Sequence, residues 1–380
     1  MKAAVFGAGM MGSALAYDLA NSEDVESVIL GDIHEMRAGT IAKQIGEKVI
    51  PKTLDINDYD DVVRIMGSVD VTVGATTYNH NLLLTRAAIE AESNFCDLGG
   101  NMDVVDSQLE LDVKARAAGI RVLPNCGLAP GMACVIAAGA ARRFKTVEEL
   151  HIRVGGLPQH PKPPLNYQLV FSAEGLINEY IEPAEVIRGG DVRKVESMTD
   201  REELEFPPPF GTLEAFNTSG GISTLTRMFS GKVKDLDYKT IRYKGHCEKF
   251  KTLLDLGFAS SEPMTIGSRV CTAREFFEDF LRKKLPASDL DVVLMRIVIK
   301  GNLDGLSRTL EYEMVDFFDE TNKITSMMRT TAFPTSIIAQ MLSNGLVNAL
   351  GVMPPEQCVP LDPFILELKK RNIMIKETIS

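Results

Sequence analysis

Three glycines within the first twelve residues constrain this chain more than anything else in it. Gly7-Ala-Gly9-Met10-Met11-Gly12 follows the apolar run Ala3–Phe6 and opens a helical pattern that continues to Ala20. A second apolar run, Val28–Leu30, then ends in Gly31-Asp32-Ile33. The order strand, glycine turn, helix, strand, acid gives the spacing its meaning, because the glycine pattern alone is weak. Gly7 permits a tight turn, Gly9 lets the backbone approach a diphosphate, and Gly12 lets the helix lie close to the strand. The free N–H groups and the positive end of the helix would hold phosphate oxygens. Asp32 is placed to accept hydrogen bonds from an adenosine ribose. Its charge would oppose a 2′-phosphate, so the reading is NAD rather than NADP.

The next 100 residues repeat the alternation. Strands are expected at Ala3–Phe6, Val28–Leu30, Lys48–Thr53, Val69–Val73, Asn94–Asp97 and Ile120–Pro124. The intervening helices are Met11–Ala20, Glu35–Ile45, Tyr59–Met66, Asn81–Ala91 and Met102–Ala118. Six strands separated by helices predict a doubly wound parallel sheet of the Rossmann type. Beyond it the pattern changes. Strand-like runs at Leu150–Val154, Val292–Ile299 and Leu306–Phe317 mix with helical runs at Gln168–Tyr180, Thr218–Phe229 and Lys249–Leu256. Gly301–Gly305 reads as a hairpin turn. This second part is expected to be an α+β domain with a mostly antiparallel sheet, which could pair with a copy of itself in a homodimer. Helical runs at Thr335–Ala349 and Pro363–Arg371 end the chain.

Composition narrows the class. The 380 residues carry a net charge of −11 and show no basic stripe, which argues against a nucleic-acid partner. No apolar run reaches the roughly 18 residues that cross a bilayer. A strand at the start, rather than a leader pattern, predicts a cytoplasmic protein without a membrane role. The six cysteines form no CxxC pair and the five histidines are scattered, so no metal site is expected.

In an open α/β sheet, ligands bind outside the carboxyl ends of the strands. That places Asp55 and Ile56 beside the adenine and Gly74-Ala75-Thr76-Thr77-Tyr78 under the rest of the cofactor. Asp97, before Gly99-Gly100, could reach a substrate amine or simply close a turn onto its own amides. Cys126 is expected to be a half-buried wall residue. In the second part, Arg153, Gly155-Gly156-Leu157-Pro158 and Thr240–His246 stand out. Arg242 could grip a carboxylate through two hydrogen bonds. His246 could carry a proton near neutrality. The alternative for that stretch is a solvated charged loop. His34, His80, His151 and His160 are expected to be surface or structural.

Taken together, Gly7–Gly12, Asp97–Asn101, Asn125–Gly131, Gly155–Pro158, Thr240–His246 and Arg329–Pro334 resemble the saccharopine dehydrogenase family, in its L-lysine 6-dehydrogenase-like branch. The resemblance runs nearly end to end. It implies a nicotinamide-dependent enzyme that oxidises or forms a C–N bond of an amino acid. It also implies a pocket lined by the Gly155–Pro158 and Arg242–His246 segments, and a chain that returns to the nucleotide domain after about residue 334. The corresponding domains are 1–125 with 335–380, and 126–334 for substrate binding and dimerisation. Saccharopine-forming relatives carry aspartate where Ala129 stands and proline where Lys244 stands. Those departures favour a smaller substrate, L-lysine, oxidised at its ε-carbon with release of ammonia. On this reading Asp97, His246 and Tyr78 are the acid–base candidates. Thr77, Gly156, Arg242 and Lys244 contact substrate. Gly7, Gly9, Met10, Met11, Gly12, Asp32, Ile33, Asp55, Ile56, Gly74, Ala75 and Thr76 hold NAD. A reductase that builds a saccharopine- or carboxynorspermidine-like secondary amine, and a non-catalytic NAD sensor, are the alternatives.

Overall fold

The computed structural model describes residues 1–286 and 290–380. They form two compact units. The first comprises Met1–Arg143, Ser223–Leu225 and Met328–Met374. Its seven-stranded sheet runs in the order Gly351–Val352, Arg121–Leu123, Asn94–Asp97, Val71–Gly74, Lys2–Phe6, Ser27–Asp32, Val49–Thr53. Every pairing is parallel. The chain builds outward on one side of Lys2–Phe6, then returns to its other side with Val71–Gly74. The order therefore reverses beside the glycine turn. Residues Ala3–Phe6 are wholly buried, as expected of a central strand covered on both faces.

Two features of this unit differ from the sequence reading. The expected helix Met102–Ala118 divides into Met102–Leu109 and Asp112–Ala117. A seventh strand, Gly351–Val352, comes from the tail and is too short to leave a periodic signal. Its Val352 N–H donates to Asp112 Oδ1 at 2.9 Å.

The domain limits also move. Residues 126–143, expected in the second domain, belong to the first unit. All nine residues of helix Ala133–Ala141 are buried, and a Cβ at Gly139 would lie 2.7 Å from Leu361. Thr335 Oγ1 donates to the Cys126 carbonyl at 2.7 Å. Arg371 clamps Asp18 with its Nε 2.8 and 2.9 Å from the two carboxylate oxygens, tying the last helix, Leu361–Lys370, to the glycine-turn helix. The final strand, Lys376–Ile379, belongs instead to the second unit.

That second unit comprises Phe144–Ile222, Thr226–Met327 and Ile375–Ser380. Its nine-stranded sheet is antiparallel except where Thr146–Pro158 meets Asp235–Tyr243 in parallel. Strand Asp291–Leu303 pairs antiparallel with Thr146–Pro158 and with Leu306–Phe317. Asp304 and Gly305, with φ of 53° and 83°, make the two-residue turn between the last two. The expected helices Gln168–Tyr180 and Thr218–Phe229 shorten to Ala173–Ile181 and Leu225–Phe229. Ser172 starts the first by accepting a hydrogen bond from the Gly175 N–H.

One face of this sheet carries Glu149, His151 and Arg153 beside Asp235, Asp237 and Lys239, and beside Arg296, Val298 and Lys300. Arg153 and Arg188 each donate to Asp237 at 2.6 Å. Burial opposes ionisation of Asp237, but His151 and Arg153 hold its carboxyl far below the ordinary range. No helix among the described residues is long and apolar enough to cross a membrane.

Candidate active site

The glycine turn is shaped by what a side chain would strike. Gly7 has φ +104°, and a Cβ there would lie 2.6 Å from the Ala75 carbonyl oxygen. A Cβ on Gly12 would lie 1.7 Å from the Gly7 oxygen, so the helix can start here only without one. A Cβ on Gly9 meets nothing within 4 Å, which leaves its backbone open to a ligand. Helix Met10–Ala20 has no side-chain cap and no acid in its first turn, so its leading N–H groups are available to an anion.

Asp32, 8% exposed, accepts from Ala8 N–H and His34 N–H, each at 2.8 Å. The acid therefore braces the turn. The half-exposed Arg37 sits 3.8 Å from it. Ile33 and Met10 are exposed, as a cofactor contact requires, whereas Ile56 is a core residue of the unit. Asp55 is exposed, and its Oδ1 accepts from the backbone and side-chain amides of Asn57. Gly74 is buried against Phe95, and Ala75 N–H donates to Phe6 O at 2.8 Å. The buried Thr76 hydroxyl has no hydrogen-bond partner among the described residues. An uncapped helix start, an open Gly9 and an orphaned hydroxyl together fit a dinucleotide.

Further along the same edge, Asp97 is not the substrate-facing acid expected. It is fully buried. Its Oδ1 accepts from Gly99 N–H at 2.7 Å and Asn125 N–H at 3.3 Å, and its Oδ2 from Gln108 Nε2 at 2.7 Å. Burial pushes its pKa up to about 6 against those bonds. The carboxylate closes a turn onto its own amides. Cys126 is likewise fully buried rather than a wall residue, and burial and Cys96 push its thiol well above the ordinary value.

Tyr78 is half-buried, and a Cβ on Gly100 would lie 3.2 Å from its ring. Thr77 is exposed and shares a 3.3 Å hydrogen bond with His80. Sequence reasoning missed the pair Asn125 and Ser223. Both have positive φ, 62° and 52°, and both are buried, with Asn125 Nδ2 donating to Ser223 Oγ at 3.2 Å. Such backbone outliers gather at functional sites. Their 98-residue separation leaves no local signal.

In the second unit, Thr240–His246 is not a loop. Thr240–Tyr243 ends the strand Asp235–Tyr243, and Gly245 at φ +85° turns the chain so that His246 begins helix His246–Asp255. Arg242 is 2% exposed. Its Nε donates to Tyr180 Oη at 2.7 Å and its Nη1 to Ile241 O at 2.9 Å. The guanidinium lies 4.8 Å from the Tyr167 ring centroid. Among the described residues Nη2 meets Glu179 alone, at an ion-pair distance of 3.8 Å. Burial disfavours the cation, but Tyr180, Tyr167 and Glu179 more than compensate and hold it charged.

His246 is not an acid–base group facing substrate. It is buried among Tyr167, Tyr180, Phe216 and Phe250. Burial and the Arg242 charge lower its pKa to about 3. Lys244 is mostly exposed and pairs with Glu203 at 2.7 Å. Gly156 lies inside strand Thr146–Pro158, where a Cβ would strike Met327 at 2.5 Å, so it serves packing rather than substrate contact. Arg153 is taken up by Glu202 and Asp237. Sequence reasoning missed Tyr167, Glu179 and Tyr180, which local patterning does not connect to Arg242.

Comparison with known proteins matches two family models in succession, the second of which takes in 127–143 and 328–374 of the first compact unit. Residues 3–123 match the saccharopine dehydrogenase NADP binding domain, and residues 127–374 match the saccharopine dehydrogenase C-terminal domain. A saccharopine dehydrogenase (NADP(+), L-glutamate-forming) from Saccharomyces cerevisiae is 23% identical, with 98% of each chain covered. A carboxyaminopropylagmatine dehydrogenase from Synechocystis sp. is 24% identical, with 100% of this chain and 98% of that one covered. The solved apo structure of saccharopine dehydrogenase (L-Glu forming) from Saccharomyces cerevisiae superposes with a TM-score of 0.82 at 20% identity, covering 100% of this chain and 99% of that one.

Proposed function

Since the chain belongs to the saccharopine dehydrogenase family, we propose that it is an NAD-dependent amino-acid dehydrogenase. Its reaction is the oxidative deamination of L-lysine at the ε-carbon: loss of hydride to the cofactor gives an imine, water adds and ammonia departs to leave the semialdehyde, and this can cyclise to an imine with loss of water. The observation that carries this reading is the buried Arg242. Among the described residues its Nη2 is held by the 3.8 Å contact to Glu179 alone, which leaves it able to take one carboxylate. The cations that a substrate with more carboxylates would need are committed elsewhere. Arg153 is bound by Glu202 and Asp237, Lys239 by Glu202 and Asp200, and Lys244 by Glu203.

When bound, the nicotinamide accepts the hydride. The main chain of Gly7–Gly12 holds the diphosphate, Asp32 the ribose, and Thr76 offers its hydroxyl to the cofactor. Arg242 fixes the α-carboxylate of the amino acid. With Asp97 and His246 sealed in the interior, Tyr78 is the remaining acid–base candidate, and Thr77 beside it is the remaining candidate for orienting the amine. The second unit has the role of substrate binding and, in this proposal, of homodimer formation.

Incubating the full chain with NAD and L-lysine alone tests the reaction. Reduction of the cofactor without any keto acid or saccharopine supports it; turnover only with saccharopine or an added keto acid overturns it in favour of a secondary-amine reductase. Arg37 beside Asp32 favours a second reading for the cofactor, because an arginine there can meet a 2′-phosphate. Titration with both nucleotides decides. Tighter NAD binding that weakens in Asp32→Ala supports the first reading, and tighter NADP binding lost in Arg37→Ala supports the second.

A further inference from the structure

We infer that Tyr180 and His246 are positioning residues that aim Arg242 at the substrate carboxylate, through a hydrogen-bond relay of fixed polarity. The inference rests on the carboxylate role proposed for Arg242. The polarity follows from the partners. His246 Nδ1 lies 2.9 Å from the Leu165 carbonyl oxygen, which can only accept, so Nδ1 carries the proton. His246 Nε2 is then the acceptor in its 3.1 Å contact with Tyr180 Oη, so the phenol donates to it. The phenol oxygen, its proton turned towards the imidazole, accepts from Arg242 Nε at 2.7 Å. Leu165 O thus sets the His246 tautomer, the tautomer sets the Tyr180 hydroxyl, and the hydroxyl takes one guanidinium edge. Nη1 is fixed on Ile241 O at 2.9 Å. Nη2, 3.8 Å from Glu179, remains as the donor for the substrate.

The surroundings leave the relay no second arrangement. Tyr180 packs edge-on against Phe250 at 4.9 Å and Phe216 at 5.7 Å, and His246 stacks on Phe250 at 5.5 Å. Burial pushes the Tyr180 phenol well above its ordinary pKa and keeps it protonated, as its donor role requires. On the other side of the guanidinium, Glu179 is itself held by Thr240 Oγ1 and Thr218 Oγ1, at 2.5 and 3.2 Å. The ring of Tyr167 closes one face of the guanidinium. Burying an arginine this way fixes the direction from which an anion can approach it.

The test is Tyr180→Phe, which keeps the ring and removes the relay. Kinetics are measured on L-lysine and on 1,5-diaminopentane, the same chain without the carboxylate. The expected result is a KM for L-lysine raised about tenfold or more, as loss of a charged-group hydrogen bond predicts. Its kcat should hold within about threefold, and kcat/KM for the diamine should be unchanged. His246→Phe, which removes the acceptor, should give the same split independently. His246→Gln, whose side-chain oxygen can still accept from Tyr180, should restore most of it. Equal losses on both substrates, or no change on either, would overturn the relay. A wild type that does not prefer L-lysine over the diamine sinks the carboxylate role of Arg242 instead, so the two failures are told apart.

Discussion

The glycine turn of the first unit and the Arg242 cluster of the second solve the same problem with opposite materials. In the function proposed above, each presents donors to an anion. The turn does it with main chain: one helix start, two glycines that admit no Cβ, and a carboxylate that accepts two backbone N–H groups. The cluster does it with side chains brought from Glu179, Tyr180, Thr218, Arg242 and His246, the imidazole resting on the Leu165 carbonyl. Main-chain recognition is set by local conformation. Side-chain recognition needs the tertiary fold first, and each member leans on the next. The two should therefore respond differently to substitution.

The largest expected effect is at Gly12. A Cβ there collides with the Gly7 oxygen. Gly12→Ala should weaken nucleotide binding by about 100-fold or more, within the range a displaced anion site can lose, and calorimetry measures it. An unchanged affinity would break the claim that the turn works through backbone approach. Next is Arg242→Met, which keeps most of the bulk and removes the cation. It should lower kcat/KM for the amino acid by about 100-fold while nucleotide affinity stays within about twofold. A matching loss of nucleotide affinity would show that the two regions are not independent.

Asp97→Asn sharpens the comparison from the first unit. The folded pKa of Asp97, about 6, lies above its ordinary value of 3.8. Its ionisation therefore costs the folded state, and the wild type loses stability as pH rises from about 4 to about 6. The variant should lack that slope. At pH 8 it should melt no lower than the wild type, since the unpartnered Gln108 Oε1 can turn to meet the new amide. Persistence of the slope in the variant would move it to another group. The smallest effect belongs to Lys244→Ala, where a largely exposed ion pair with Glu203 is lost. Stability and kcat/KM should change by less than about twofold, in keeping with the low worth of surface pairs.

The same contrast explains what was legible in the sequence. The sheet of the first unit and its glycine turn are local, and helices Glu35–Ile45 and Tyr59–Met66 have the boundaries that periodicity predicts. The two-residue strand Gly351–Val352, which has no period to read, the break after Leu109, the buried helix Ala133–Ala141 and the early start of helix Ser326–Ser343 lay outside the pattern. In the second unit the motif Thr240–His246 was visible as a concentration of chemistry. Its setting was not. A run of cations and polar residues reads as a solvated loop, yet Thr240, Arg242 and His246 are interior because Tyr167, Tyr180 and Glu179 surround them. Asp97 erred in the other direction: a carboxylate beside two glycines looks ligand-facing until Gln108 and the Gly99 and Asn125 amides are seen to enclose it.

The way the chain is shared between its units has a practical consequence. It passes from one to the other five times, at 143/144, 222/223, 225/226, 327/328 and 374/375. No single cleavage point releases either unit whole, and swapping a foreign nucleotide module into this scaffold would require stitching at every passage. The last of them hands the strand Lys376–Ile379 to the second unit, where it pairs with Leu306–Phe317.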